Sequence, residues 1–393
     1  MRLDAVCSHV VDCEHKTAPI DESGEYFAVG TPAMRDHRIE YAEARRISRD
    51  TFEAWTRRLR PQPGDLLLAR EAPVGPIVRL PESAHVAPGQ RTVLLRPDAA
   101  ATSSTYLYYL LRSPRMQAEL LLKAEGSTVH HLNVADIRAL EVDLPPLAEQ
   151  QAIAEVLGAL DDKIAANTAL AESLTRLSAL ECRALAASTT RSVPLADLVT
   201  TQYGVTTSAV VEPQGTGLVR VTDINKRPWI EWDSVPGCSL DKGVREKYLL
   251  NPGDIVVARM ADPGKAAWIS LGDPPAVFAS YLVRLQATIE YHAPFIYEFL
   301  RGEQYRRYCE GAMQGSVQKN MNAKVIVGTT MPLPDRAALR EYAGRFHGLR
   351  ALMSSALREN RTLAATRDAL LPQLMSGKLR VRDAERIATE AGV

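Results

Sequence analysis

Residues 335–375 read DRAALREYAGRFHGLRALMSSALRENRTLAATRDALLPQLM. Within them Leu339, Tyr342, Phe346, Leu349, Met353, Ala356, Asn360, Leu363, Arg367, Leu370 and Leu374 recur at alternating threes and fours. A seam of that spacing sustained for about five heptads predicts a long coiled-coil helix. Gly377 supplies its stop. Upstream, Pro145 and Pro146 stand where a helix can begin but not continue. Ile153, Leu157, Leu160 and Ile164 then start a second seam, and Leu170, Leu174 and Leu177 resume it in a shifted frame. The spacing predicts helices over 147–187 and 335–375, each about 60 Å long at 1.5 Å per residue.

The two helices suit each other. Region 147–187 has three basic and six acidic residues, a net of −3, and region 333–375 has seven and four, a net of +3. Opposite charge beside a seam selects a partner, so an antiparallel pair is expected. Asn167 and Asn360 lie mid-helix at or beside the seam. Each either fixes the register or faces solvent.

The segments between are two copies of one plan. Pro63-Gly64-Asp65 and Pro252-Gly253-Asp254 each precede a short apolar run, at an offset of 189. Tyr106–Arg112 meets Phe295–Arg301, Gly126-Ser127 meets Gly315-Ser316, and Asn133 meets Asn322 at the same offset. Leu144-Pro145 meets Met331-Pro332 at 187. Pro-Gly-Asp before an apolar run is a turn feeding a strand. The period is too long for a solenoid. The reading is α+β: two duplicated mixed α/β domains, 1–146 and 188–332, separated by helices 147–187 and 333–380, with a tail at 381–393.

Composition sets bounds. The chain has 393 residues, 46% apolar and 24% charged, with 47 basic and 47 acidic side chains. This is ordinary for a globular protein and speaks against dominant disorder. The five cysteines are odd in number and mostly far apart, which fits a reducing compartment. No stretch approaches a membrane helix, and the start lacks a signal peptide's apolar core.

Catalytic signatures fail one by one. Asp273-Pro274-Pro275-Ala276 lacks the aromatic that an amino-methyltransferase stacks on a flipped base. Gly264-Lys265 and Gly377-Lys378 have Arg259 and Pro372 where a Walker A motif needs its first glycine. Asp4 with Glu14-His15-Lys16 has the residue types of a metal nuclease without a supporting strand pattern. Cys7, His9, Cys13 and His15 have zinc-ligand types at the wrong spacing, and buried cysteines on a strand account for them.

Nucleic acid is the better candidate ligand. Domain 1–146 has 18 basic and 20 acidic residues, and domain 188–332 has 15 and 14, but the basic ones cluster. Eight arginines, among them Arg35 and Arg38, fall within 26 residues. Arg220, Lys226 and Arg227 form a sparser group. Such runs either neutralise phosphates or form a solvated face. Gln314 through Asn320, with Gln318, Lys319 and Asn320, and its counterpart Gly126–His131, with His130 and His131, are polar loops suited to base edges. His15, Lys16, Arg70 and Arg259 complete the candidates.

One family joins these features. Leu144-Pro145-Pro146-Leu147-Ala148-Glu149-Gln150-Gln151-Ala152-Ile153-Ala154, then Leu157, Leu160-Asp161-Asp162-Lys163-Ile164 and Asn167, resembles the central region of type I restriction-modification specificity subunits. Leu370 through Val381 resembles that family's distal region, and both Pro-Gly-Asp strands and His15–Pro19 resemble motifs of its target-recognition domains. Cys13 stands where glycine is common, and the second copy lacks the Glu149-Gln150 pair. The resemblance implies a non-catalytic, cytoplasmic subunit reading a bipartite double-stranded DNA target. It implies two methyltransferase partners carrying S-adenosylmethionine and two motor-nuclease partners using Mg and ATP. It also implies that Glu149, Gln150, Ile153, Leu157, Leu160, Asn167, Leu349, Met353, Asn360, Leu363, Leu370 and Leu374 form the helix seam and docking surface. A stand-alone nuclease would cut DNA with Mg alone, and a bare coiled-coil scaffold would bind no DNA even with its partners.

Overall fold

The computed structural model describes the chain except residues 83–84, 125–129, 211–214 and 314–319. It divides into two compact units, Met1–Ala165 with Glu359–Val393, and Ala166–Arg358.

In the first unit Pro63-Gly64-Asp65 does what its composition predicts. Gly64 takes a φ of 85°, open to glycine without strain. Asp65 accepts from the Gln62 amide at 2.8 Å and from Arg96 at 2.7 and 2.9 Å, closing the turn. The chain then enters strand Leu66–Arg70, central in an antiparallel sheet ordered Cys7–Asp12, Thr92–Pro97, Leu66–Arg70, Val74–Arg79. All five residues of that strand are buried because both faces are covered. Leu66 and Leu68 face the helix Ser104–Arg112 and the long helices, while Leu67 and Ala69 face a smaller sheet region. There Tyr26–Val29 pairs antiparallel with Arg45–Ile47 and parallel with Val86–Pro88.

The second unit repeats this design. Gly253 has a φ of 92°, and Asp254 accepts from the Asn251 amide at 2.9 Å and from Arg284 at 3.3 Å. Its sheet runs Val199–Tyr203, Leu282–Ala287, Ile255–Ala258, Ala266–Trp268, the same order as in the first. Gly217–Val219 pairs parallel with Ala276–Phe278. Ile255 and Val257 face one core, Val256 and Ala258 another.

The long helices are Leu147–Ala187 and Arg336–Met375. They begin 189 residues apart, so the register through them is 189 rather than 187, and Leu144-Pro145 corresponds to Leu333-Pro334. Asp335 caps the second helix, accepting from the Ala338 amide at 2.9 Å. Within each unit their segments run antiparallel. In the first, Asn360 donates to the Ile164 carbonyl at 3.3 Å and Lys163 pairs with Glu359. In the second, Arg345 pairs with Glu181 at 3.1 Å and Thr175 meets Met353. Arg345 with Glu181 follows the net charges of the two helices, whereas Lys163 with Glu359 runs against them.

The first helix departs from the expected seam in its second half. Leu170 and Leu177 are largely exposed, whereas Ala171, Thr175, Ser178 and Cys182 are buried. The frame continues unshifted from Ile164 through small residues. Bulk on the facing helix is the reason: Tyr342 and Phe346 are fully buried there and fill the space leucines would need. Residues 381–393 are more than a tail, since helix Val381–Glu390 buries Ala384 and Ala388 in the first unit's core. Among the described residues no helix is long and apolar enough to cross a membrane.

Candidate nucleic-acid interface

The first central strand ends on Arg70 and the second is followed directly by Arg259, and each arginine meets the residue 61 positions later. In the first unit Arg70 Nη1 lies 3.0 Å from His131 Nε2 and donates to the Leu132 carbonyl at 3.3 Å. The Leu132 amide donates back to the Arg70 carbonyl at 2.9 Å, and Glu71 bridges to His131. In the second unit Arg259 donates to the Asn320 side chain at 3.2 Å, the Met321 amide donates to the Arg259 carbonyl at 2.8 Å, and Met260 bridges to Asn320. All four positions correspond at an offset of 189. The same backbone therefore presents arginine and histidine in one copy, arginine and asparagine in the other.

The surroundings differ between copies. Around Arg70 stand Asp12 at 3.3 Å and His15, whose Nε2 is 2.9 Å from Asp12 and whose Nδ1 is 3.4 Å from Arg70. Glu71 holds His131 at 3.3 Å and Arg91 at 3.3 Å. Arg259 instead lies over the Tyr203 ring at 5.1 Å. Arg70 is buried to its head group, while His15, Lys16 and His130 are exposed. In each unit the side-chain types brought together, a guanidinium with an imidazole in the first and with an amide in the second, are ones that can donate to guanine N7 and O6 or pair with adenine N6 and N7.

Other candidates have work inside the fold. Arg38 reaches Asp161 on the long helix at 3.5 Å, and Arg227 reaches Glu172 at 3.4 Å. Arg220 grips Asp223 through Nε and Nη2 at 3.0 and 2.9 Å. Arg35 contacts the Pro32 carbonyl and Glu43. Lys226 is exposed. Gln318 and Lys319 lie outside the described residues. Of the two rival patterns, Asp4 is engaged by Arg2 at 2.6 Å and Glu14 by Arg57 at 3.0 Å. Cys7 and Cys13 are buried, and burial pushes the Cys7 thiol up to about 12.

On the helices, Ile153, Leu157 and Leu160 pack with Leu363, Leu370 and Leu374 in the first unit's core. Met353 is buried in the second unit with Ala171 and Trp229. Asn167 is buried, Leu349 half-buried and Glu149 exposed. Gln150 does not face the helix seam. It accepts from Thr102 Oγ1 at 2.8 Å and the Ser103 amide at 3.1 Å, and donates to the Pro145 carbonyl at 2.9 Å. It therefore ties the long helix to the start of helix Ser104–Arg112.

Two buried polar clusters were missed by the sequence reading. Asp161 accepts from Tyr109 at 2.7 Å, Arg112 at 3.0 Å and Arg367 at 2.6 Å. Burial alone would raise this carboxyl, but Arg367 and Arg112, with the Tyr109 hydroxyl, hold it below the usual range. Next to it, burial and then the Arg112 charge push His37 down to about 4, leaving Nδ1 free to accept from the Ile77 amide. In the second unit Glu298 accepts from Ser178 at 3.0 Å and Arg301 at 3.1 Å, and burial raises its carboxyl despite those partners. A charge at seam spacing was the available signal: Asp161 follows Leu160 and precedes Ile164.

Comparison with known proteins converges on one family. Residues 19–176 match the model of the type I restriction modification DNA specificity domain. The chain is 32% identical over 101 residues to the type I restriction enzyme MjaIX specificity subunit of Methanocaldococcus jannaschii, covering 26% of this chain and 23% of that protein. It thus spans under a quarter of that relative's length. It is 22% identical over 307 residues to the MjaVIII specificity subunit of the same organism, covering 71% of each. The crystal structure of the type I restriction-modification S subunit from M. genitalium shares its fold with a TM-score of 0.58 at 16% identity, over 95% of both chains. By sequence and by fold, the chain is similar to type I restriction-modification specificity subunits, and its residues 19–176 carry the match to their DNA specificity domain.

Proposed function

We propose that this chain is the non-catalytic DNA-reading subunit of a type I restriction-modification complex in the cytoplasm. Each mixed domain reads one half of a bipartite double-stranded target. The long helices set the separation of the two halves and dock two methyltransferase subunits, which bring S-adenosylmethionine and methylate adenine. Two motor-nuclease subunits, with Mg and ATP, would add restriction.

The observation that carries this reading is the repeated rim: one backbone arrangement presents Arg70 and His131 in one copy and Arg259 and Asn320 in the other. Two readers of one design with different side chains are what a split, asymmetric target requires. Exposed arginines such as Arg45 and Arg49 would neutralise phosphates, contacts that position without specifying.

The test exchanges residues 1–146 for the corresponding domain of a relative and sequences the methylated adenines. One block of the target should change, while the other block and the spacer stay. A change in both blocks would refute the two-reader arrangement. The purified chain alone should neither bind S-adenosylmethionine nor cut DNA. Micromolar cofactor affinity, or Mg-dependent cleavage, would refute the non-catalytic role.

A further inference from the structure

The offset of 189 carries through both buried clusters. Tyr108, Tyr109, Arg112 and Asp161 correspond to Tyr297, Glu298, Arg301 and Arg350, and Arg367 corresponds to Ser178. The frame around them is shared. Arg112 stacks on Tyr108 at 4.9 Å and Arg301 on Tyr297 at 5.3 Å. The Tyr108 hydroxyl donates to the His37 carbonyl at 3.0 Å and that of Tyr297 to the Pro228 carbonyl at 3.3 Å. Each cluster contains one carboxylate and two of these corresponding arginines. The carboxylate, however, has changed sides. In the first unit it is Asp161, on the helix pair, and the mixed domain answers with Tyr109 and Arg112. In the second it is Glu298, on the mixed domain, and the helix pair answers with the Ser178 hydroxyl at 3.0 Å and with Arg350, which lies over the adjacent Tyr297 ring at 5.5 Å.

We propose that this reversal is a positional code: it matches each mixed domain to its own stretch of the helix pair and rejects the other domain there. Domain 1–146 set on the second stretch would bring Tyr109 and Arg112 against Ser178 and Arg350. Two buried arginines would then share no carboxylate. The second domain on the first stretch would bring Glu298 to where the Tyr109 hydroxyl now donates to Asp161, so two carboxylates would face each other. The first mismatch leaves two buried arginines uncompensated, the strongly destabilising case for an ion pair; in the second, Arg301 and Arg367 match the two carboxylates in number, and the cost is the direct approach of Glu298 to Asp161. The two helix faces also differ in shape, with Tyr342 and Phe346 on the second standing where Ile153 and Leu157 stand on the first. Repulsion in the wrong combination adds to that difference. The inference concerns docking within the chain and holds whatever the domains bind.

The test uses full-length chains. Residues 1–146 are repeated in place of residues 190–335, once on the parent helices and once with Ser178→Arg and Arg350→Asp. The substituted chimera should melt at least about 5 °C higher and resist trypsin in the repeated domain. In the parent chain the same logic reverses sign. Arg350→Asp sets a carboxylate against Glu298 and should lower the melting temperature, and adding Glu298→Tyr should restore at least half of that loss. A purely space-filling role would make Arg350→Asp harmful in both settings. Equal stability of the two chimeras would overturn the proposal, as would simple additivity of Arg350→Asp and Glu298→Tyr. If neither chimera folds, the parent-chain pair decides.

Discussion

Asp161→Asn should destabilise the first unit far more than a typical polar substitution. The carboxylate is the shared acceptor of Tyr109, Arg112 and Arg367, and the Arg112 and Arg367 side chains are only 5% and 14% exposed. The amide keeps the volume but loses the charge, and its nitrogen points a donor at groups that are themselves donors. Removing one member of a buried ion pair costs about 3–5 kcal/mol, since the partner charge stays buried. The adjacent Arg38 contact is half-exposed and adds little. For a unit of about 200 residues, each kcal/mol shifts the melting temperature by about 2–4 °C. The expected loss is therefore about 6–20 °C, confined to the first unit. Thermal unfolding of the full chain gives the size of the shift, and amide hydrogen exchange gives its location. Helix Ser104–Arg112 and the segment 147–165 should lose protection first. A shift under about 2 °C, or a loss of protection spread evenly over both units, would refute the account of Asp161 as the joint between domain and helix.

Leu363→Asp puts an unpaired carboxylate at a fully buried seam position and should cost several kcal/mol; binding of the methyltransferase partner at parental affinity would show that this seam is not needed. Leu349→Asp should cost less, because Leu349 is half-buried. Acid should act oppositely on the two clusters. Asp161 lies below its usual value of 3.8, so its contribution is complete above that pH and is lost as pH falls through the folded value. Glu298 lies above 4.5, so protonation is favoured by folding, and that benefit is lost as pH rises through its folded value. Hydrogen exchange at pH 7, 5 and 3.5 should show the second unit gaining first and the first unit losing last; parallel behaviour of both would contradict the assignment. His131→Ala should weaken DNA binding by about 1–3 kcal/mol and relax one block of the methylated sequence, with Arg259→Ala relaxing the other. A uniform loss across all sequences would make both side chains phosphate contacts.

Much of this protein is legible in its sequence because local spacing encodes it. The Pro-Gly-Asp turns, the strands they feed, the internal duplication and the two long helices all rest on contacts within a few residues or on a repeating period. The pairing of Arg70 with His131 and of Arg259 with Asn320 was not legible, although each residue stood among the candidates. Their separation of 61 is closed by the sheet, and nothing local announces it. The seam between Ile164 and Cys182 was misread for a related reason. Leucine marks a buried face only if the facing side is small, and here Tyr342 and Phe346 are large, so Ala171, Thr175 and Ser178 are buried and Leu177 is left outside. Arg38, Arg227 and Gln150 read as DNA-contacting, solvated or docking residues because charge and amide groups look alike whether they meet water or a partner 48 to 123 residues away. The sequence by itself determined that there are two domains of one design on two helices. Only the tertiary structure decided on which side of each joint the carboxylate sits, because that depends on which distant side chains share a dry space, and period and composition carry no record of it.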